Sequence, residues 1–600
     1  MKKLNVRWII CLLLVISGLF MSYYPLTPAK NDSIKELPQL KTLESAFRTV
    51  PDSIQTSVYW YWISDNLSKA GVIKDLQAMK KAGINRAFIG NIGLDDVPYG
   101  KVKIFSDQWW DILHAALKTA TKLNIEIGIF NSPGWSQSGG PWIKPEESMR
   151  YLCASKVVVE GGQTIDLKLK RPVGSGNSFQ DVRVLAMPAP KDFNKTLREL
   201  GATVTTIPGI SNDTYLTDGD TSRGVSFKKD SIFTIDVKFR EPLTARSVVL
   251  YPAKHTMVLQ GVVQAMINGA YKTIKSFRVD RSNDALNVGF LPYAPGAISV
   301  PATTANEFRI KFDQVSENSG LNELKISATP VVEDYAEKSL AKMFPTPFPY
   351  WTAYQWAVQP TVNDKTKLID PAKVVDVTRF MQPDGRFKWE APKGSWIIMR
   401  TGMVPTGVKN GPAAPEGTGL EVDKMSKKHV RAHFDAFLGQ ILKRIPASDR
   451  KTFKVTVEDS YETGGQNWTD GLITKFKKAF GYDPTPYLPV LQGLVVGSED
   501  RADRFLWDMR RFIAHEVAYQ YVAGLREVSH EHGLHTWLEN YGHWGFPGEF
   551  LQYGGQSDEV GGEFWSEGDL GNIENRAASS AAHIYGKTKV SAESFTAGGR

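Results

Sequence analysis

Val58-Tyr-Trp-Tyr-Trp62, Arg86-Ala-Phe-Ile89 and Ile125-Glu-Ile-Gly-Ile-Phe130 are three short β-rich runs, and what separates them decides the fold. Between the first and second, Ser68 precedes apolar positions Val72, Leu76 and Met79 at helical spacing, and Gly83 follows them. A serine hydroxyl satisfies free amides at a helix start, and glycine takes the left-handed turn at its end, so this helix has both stops. Between the second and third runs, Ser106 opens a helix with Trp110, Leu113, Leu117 and Ala120 on one face. Strand, helix, strand, helix, strand implies a parallel sheet with helices outside it.

Beyond this unit the pattern breaks. Residues 155–330 show no helical period, only short alternating runs such as 156–159, 233–239, 247–251 and 307–312 between Gly, Pro, Asn and Asp. They predict a β-sandwich inserted into the first domain. Leu216-Thr-Asp-Gly-Asp220 and Phe233-Thr-Ile-Asp-Val237 locally resemble the discoidin-type sandwich common among carbohydrate-binding modules, with a purely structural sandwich equally open. Near 396 the α/β alternation resumes: strands at 396–401, 453–457, 534–538, 563–565 and 589–592, helices at 427–445, from Thr469, at 501–530 and at 572–585. With the first three, the strands number eight, near 58, 86, 125, 396, 453, 534, 563 and 589. Eight such units predict a (β/α)8 TIM barrel interrupted after its third strand. Residues 40–150 and 335–600 would form the barrel and 155–330 the sandwich. A doubly wound open sheet is disfavoured because no glycine-rich phosphate loop follows the first strand. The last barrel helix is missing after the eighth strand, so a longer protein, truncated here, is expected.

The gross numbers agree with several domains, because 600 residues exceed what one core holds. With 42% hydrophobic and 23% charged residues the chain is globular in class. Residues 1–25 read as a signal peptide or N-terminal anchor: Lys2, Lys3 and Arg7 precede an apolar run over 8–21 that is short of the ~20 residues of a spanning helix. Export to the periplasm, the cell surface or the medium is the expectation. Cys11 and Cys153 are the only cysteines, so removal of the signal leaves no intrachain disulfide. The net charge of +8 is modest once the signal is discounted, and no nucleic-acid motif is present.

In a TIM barrel the chemistry sits at the C-terminal ends of the strands. There the sequence places Glu458-Asp-Ser-Tyr-Glu462, Glu539-Asn-Tyr541, Glu563-Phe-Trp565 and Glu593-Ser-Phe595. One glutamate at a strand end is ordinarily a solvated rim residue. Four on consecutive strands, interleaved with Trp and Tyr, match glycoside cleavage, in which one carboxylic acid protonates the leaving oxygen and a second carboxylate serves as base or nucleophile. The third strand runs into Asn131-Ser-Pro-Gly-Trp-Ser-Gln-Ser-Gly-Gly-Pro-Trp-Ile143, an irregular loop placed to line a pocket or to make a rigid turn. His530, His532 and His535 span a helix end and a strand start away from the mouth and read as structural.

The loop just quoted, with Pro145-Glu-Glu-Ser-Met149, resembles the hallmark of the α-L-rhamnosidases of glycoside hydrolase family 106. Asp459-Ser-Tyr-Glu-Thr-Gly-Gly-Gln-Asn-Trp468, Gly419-Leu-Glu-Val-Asp-Lys424 and Trp389-Glu-Ala-Pro-Lys-Gly-Ser-Trp396 are similar to that family too, and the likeness runs from about 40 to 600. The resemblance implies inverting hydrolysis of terminal α-L-rhamnosides in poly- or oligosaccharides, and a calcium ion near the sugar. It implies Glu462 as general acid and Glu593 as general base, with Glu563 and Glu593 exchangeable in that role. Asp459, Trp468, Glu539, Glu563, Asn131 and Trp135 would bind substrate, and Glu539 and Glu563 would ligate the metal. Another sugar specificity, or an inactive glycan-binding barrel, is the alternative.

Overall fold

A computed structural model describes residues 40–49, 54–172, 174, 176–227, 232–316, 319–345, 355–542, 545–566 and 573–596. The predicted signal or anchor lies outside the described residues. The chain divides into two units after Thr56; of the first, the helix Leu40–Arg48 is described, and the second begins at Ser57. No helix among the described residues is long and apolar enough to cross a membrane.

The second unit is a mixed α/β structure built on a parallel sheet of seven strands. They are β1 (Ser57–Ile63), β2 (Arg86–Ile92), β3 (Glu126–Phe130), β4 (Phe453–Glu458), β5 (His535–Glu539), β6 (Glu559–Trp565) and β7 (Val590–Thr596), adjacent in that order. The predicted caps form: the Ser68 hydroxyl accepts from Gly71 N at the start of Lys69–Ala82, Gly83 ends that helix at φ 79°, and the Ser106 hydroxyl accepts from Trp109 N. The sheet curls strongly. Arg86 on β2 reaches across to Glu559 on β6 (2.6 Å), and the ring of Tyr59 on β1 meets that of Trp537 on β5 edge-on at 6.2 Å. No ladder joins β7 to β1 among the described residues.

The expected count of eight is therefore corrected to seven among the described residues. The run near 396 is a strand, Ser395–Pro405, but it lies in a different sheet, antiparallel between Arg150–Glu160 and Gln180–Pro188. β3 pairs directly with β4 instead. A central antiparallel strand buried on both faces carries the same unbroken apolar run as a barrel strand, so pattern does not separate them. The helix-free interval is also divided. Its first strands join that small sheet and the two-stranded antiparallel sheet of Thr164–Lys168 with Arg386–Glu390, while strands between Thr203 and Ser327 form a seven-stranded antiparallel sheet. In the latter, Phe233–Pro252 and Gly296–Val315 break register between Lys238 and Leu243 and bend around a core that includes Phe233, Val248, Leu259 and Phe312.

Two predicted helices are interrupted. Lys427–Ala436 and Leu438–Arg444 meet at Phe437 (φ −119°, ψ −76°). The long helix runs as Glu499–Glu516, a π-helical turn Val517–Val522, then Ala523–Glu531. Thr469 does not cap its helix; its hydroxyl donates to Asp423 (2.6 Å), and Leu472–Phe480 follows Gly471.

Candidate active site

The pleat sorts side chains before any chemistry is considered. On β1, Trp60 and Trp62 pack outward with the helices, while Tyr59 and Tyr61 point to the concave side with Phe88, Phe130, Val455, Val457 and Trp537. Gly128 on β3 belongs to the same side, and a methyl group there would stand 2.4 Å from the Phe88 ring. Continuing the alternation one step past Val457 and Trp537 puts Asp459 and Glu539 above this aromatic floor. Glu563 and Glu593 stand opposite one another in the β6–β7 ladder. Glu458 takes the other parity, fully buried on the helix side near Lys424.

The floor therefore carries a ring of carboxylates. Oxygens of Asp459, Glu539 and Glu593 lie within 4.8 Å of one another. Tyr59 Oη donates to Asp459 Oδ1 (2.8 Å), and Thr596 Oγ1 donates to Glu593 Oε1 (2.6 Å). Burial, then the Glu593 charge, pushes Asp459 well above the usual carboxylate range, and burial with the Asp459 and Glu593 charges does the same to Glu539. Burial raises Glu563 to about 8, and burial also raises Glu593, opposed by its Thr596 hydrogen bond. Like charges this close cannot all ionise without a proton or a cation among them.

Glu462, outside that trio, lines a neighbouring pocket, half-buried, accepting from Trp135 Nε1 (3.3 Å) and from the Ser460 hydroxyl (3.2 Å). Its charge nonetheless acts on Asp459, Glu539 and Glu563. Trp135, stacked on Tyr61 at 5.9 Å between ring centres, shares with Glu462 the lining of an open pocket of about 480 Å³.

Of the residues the sequence put forward, Asp459, Glu462, Glu539, Glu563, Glu593 and Trp135 come together here. Asn131 and Trp468 do not. Asn131 is buried behind the loop, its amide donating to Val457 O (3.0 Å) and its oxygen accepting from Ser138. Trp468 is buried in the main core, its backbone N donating to Arg150 O (3.1 Å). Both lie close to a site residue in sequence, but the turns after β3 and β4 direct them inward to packing. Glu563, expected as a metal ligand with Glu539, falls outside the close trio, where Asp459 and Glu593 join Glu539.

Other contributors went unread. Tyr59 and Tyr61 join Tyr541, already placed beside Glu539 by the sequence, around the carboxylates, and only the alternation within β1 hinted at these two. Gln137, strained at φ 119°, donates to the Asp459 carbonyl and accepts from the hydroxyls of Tyr521 (2.6 Å) and Tyr553 (3.2 Å). The Gly419–Lys424 motif proves to be a clamp: the buried Glu421 carboxylate accepts from Ser138 N (3.1 Å), the Ser136 hydroxyl (3.3 Å) and Lys424 Nζ (2.6 Å). It holds the Trp135 loop against the site.

The glycoside hydrolase family 106 model, described as alpha-L-rhamnosidase, matches residues 48–600. The chain belongs to that family. A solved rhamnosidase from Novosphingobium sp. PP1Y superposes with a TM-score of 0.79 at 26% identity, covering 92% of this chain and 53% of that one. A Formosa agariphila protein named "Putative beta-glucuronidase" is 29% identical over 560 residues, 93% of this chain and 35% of that protein. The family 106 chain thus spans about half of one relative and a third of the other. Its glycoside hydrolase membership accords with the carboxylate-rich mouth.

Proposed function

We propose that the protein is exported and hydrolyses terminal α-L-rhamnosyl residues of poly- or oligosaccharides with inversion, Glu462 acting as general acid and Glu593 as general base. The observation that carries this reading is the placement of the carboxylates. Glu462 faces an open pocket from beside an indole, while Glu593 stands in a separate carboxylate group over the aromatic floor. Inversion needs two carboxyl groups about 6.5–9.5 Å apart, so that water fits beneath the sugar while the acid reaches the glycosidic oxygen above it. Glu462 delivers its proton to the leaving oxygen as the bond to the anomeric carbon breaks. Glu593 removes a proton from the attacking water. Tyr59 holds Asp459, and Tyr61 and Trp135 offer faces for the sugar's C–H groups.

The trio of Asp459, Glu539 and Glu593 suits a hard cation such as calcium. All its donors are carboxylate oxygens, and Glu539 Oε1 is buried without a hydrogen-bond partner. When bound, calcium would bind sugar hydroxyls and keep its carboxylates ionised. The Formosa relative's name raises a second reading, a glucuronide in place of rhamnose. The carboxylate ring speaks against it, since it repels an acidic donor sugar more than a neutral deoxysugar. Hydrolysis of 4-nitrophenyl α-L-rhamnoside against the β-glucuronide by the full-length protein tests the choice. Rhamnoside cleavage alone supports the proposal, and glucuronide cleavage alone overturns it.

A further inference from the structure

The pocket beside Glu462 has a wall to which the proposed hydrolysis assigns no role. Besides Trp135, Ser136 and Glu462, it is lined by Leu286, Asn287 and Lys409. Leu286 and Asn287 come from the single turn Leu286–Val288 of the antiparallel region, where Leu286 is 40% exposed. Lys409 lies on the loop after Ser395–Pro405. That loop is fixed to the Trp135 loop. Asn410 donates to Pro133 O (2.7 Å) and Gly417 O (3.0 Å), and Gly411 O accepts from Trp135 N (3.2 Å) and Ser136 N (2.9 Å). Lys409 itself bridges to Leu420 through its backbone. The lysine's main chain is therefore tied, through Trp135, to the carboxyl of Glu462.

The Lys409 side chain is exposed and pairs with no carboxylate among the described residues. A lone surface lysine is ordinarily just solvated. This one lines the pocket on the acid's side of a mouth where Asp459, Glu462, Glu539, Glu563 and Glu593 gather. Those carboxylates repel a negative ligand, and Lys409 is the one cationic side chain among the described residues that line the pocket. The acid must stand at the junction of donor sugar and leaving group, because the proton goes to the oxygen between them. Of the five carboxylates only Glu462 lines this pocket, so with the donor over the other four the pocket receives the leaving group.

We propose that Lys409 binds an anionic substituent of the leaving sugar, a uronate carboxylate or a sulfate ester, so that the preferred substrate is rhamnose attached to an acidic saccharide. The proposal rests on Glu462 as the acid of a rhamnosidase, and its test separates the two. The full-length protein and its Lys409→Gln and Lys409→Arg variants would be assayed on four disaccharides: rhamnosyl-glucuronate, its methyl ester, and rhamnose on a sulfated and an unsulfated neutral sugar. 4-Nitrophenyl α-L-rhamnoside reports on the rhamnosidase reading by itself. The expected result is a kcat/KM about tenfold higher for at least one anionic substrate than for its neutral partner, as a charge-assisted hydrogen bond allows. The uronate and sulfate arms identify which anion is used. That ratio falls toward one in Lys409→Gln, is largely kept in Lys409→Arg, and shrinks with added salt. Equal ratios in all three proteins, with the aryl rhamnoside cleaved, overturn the Lys409 proposal alone. An uncleaved aryl rhamnoside together with uncleaved disaccharides overturns the rhamnosidase reading beneath it.

Discussion

At the scale of single residues, the two glutamates are separable by leaving group. Glu462→Gln should lower kcat on natural rhamnosides by about 10²–10⁴-fold, the usual worth of a positioned acid. Its loss on 4-nitrophenyl rhamnoside should be much smaller, since nitrophenolate needs little protonation. Glu593→Gln should impair both substrates alike. Steady-state kinetics on the two substrates checks this, and equal losses for Glu462→Gln would remove it from the acid role. These carboxylates were legible in the sequence because each closes a β-rich run, where a parallel sheet presents its residues to the mouth. Asn131 and Trp468 were misplaced because adjacency in a motif says nothing about which way a turn points a side chain. The tyrosines were missed because a Tyr in an apolar run reads as packing until the pleat shows Tyr59 and Tyr61 on the carboxylate side.

At the scale of elements, the floor beneath the carboxylates depends on Gly128. A methyl group there would lie 2.4 Å from Phe88 and 2.8 Å from Val457, so Gly128→Ala should destabilise the protein by about 1–3 kcal/mol. Denaturant unfolding would show it, and an unchanged midpoint would mean the floor is loosely packed. In the antiparallel sheet, Glu323 is fully buried with Oε1 unpartnered and Oε2 accepting from Gly219 N (2.9 Å), and burial pushes its carboxyl to about 7. The folded chain then holds a proton that the unfolded chain has lost above about pH 4.5. Stability therefore falls as pH rises from there to about 7. Glu323→Gln removes the charge and keeps an acceptor. Its melting temperature should match the parent near pH 5 and exceed it near pH 8, whereas a difference constant with pH would contradict this. Capped helices and the first three parallel strands were legible because serine and glycine stops are local. Ser395–Pro405 was assigned to the wrong sheet because partner choice is a long-range property, decided here by strands more than 200 residues away.

At the scale of the whole molecule, the curled sheet of seven parallel strands brings acids from segments over 130 residues apart in sequence to one mouth, and the antiparallel region adds Leu286 and Asn287 to the pocket beside it. If calcium occupies the Asp459, Glu539 and Glu593 trio, binding to the folded state alone must stabilise it by mass action. Saturating calcium should raise the melting temperature by at least ~2 °C. Asp459→Asn should abolish most of that rise, and no shift together with full activity after exhaustive EDTA treatment would count against the ion. The central claim, two carboxylates cleaving a rhamnoside with water attacking from the face opposite the leaving group, is tested most directly by following the product's anomeric proton. Proton NMR of 4-nitrophenyl α-L-rhamnoside hydrolysis by the full-length protein should show β-rhamnose first, with the α-anomer growing in only as mutarotation proceeds. The α-anomer appearing first would contradict the account.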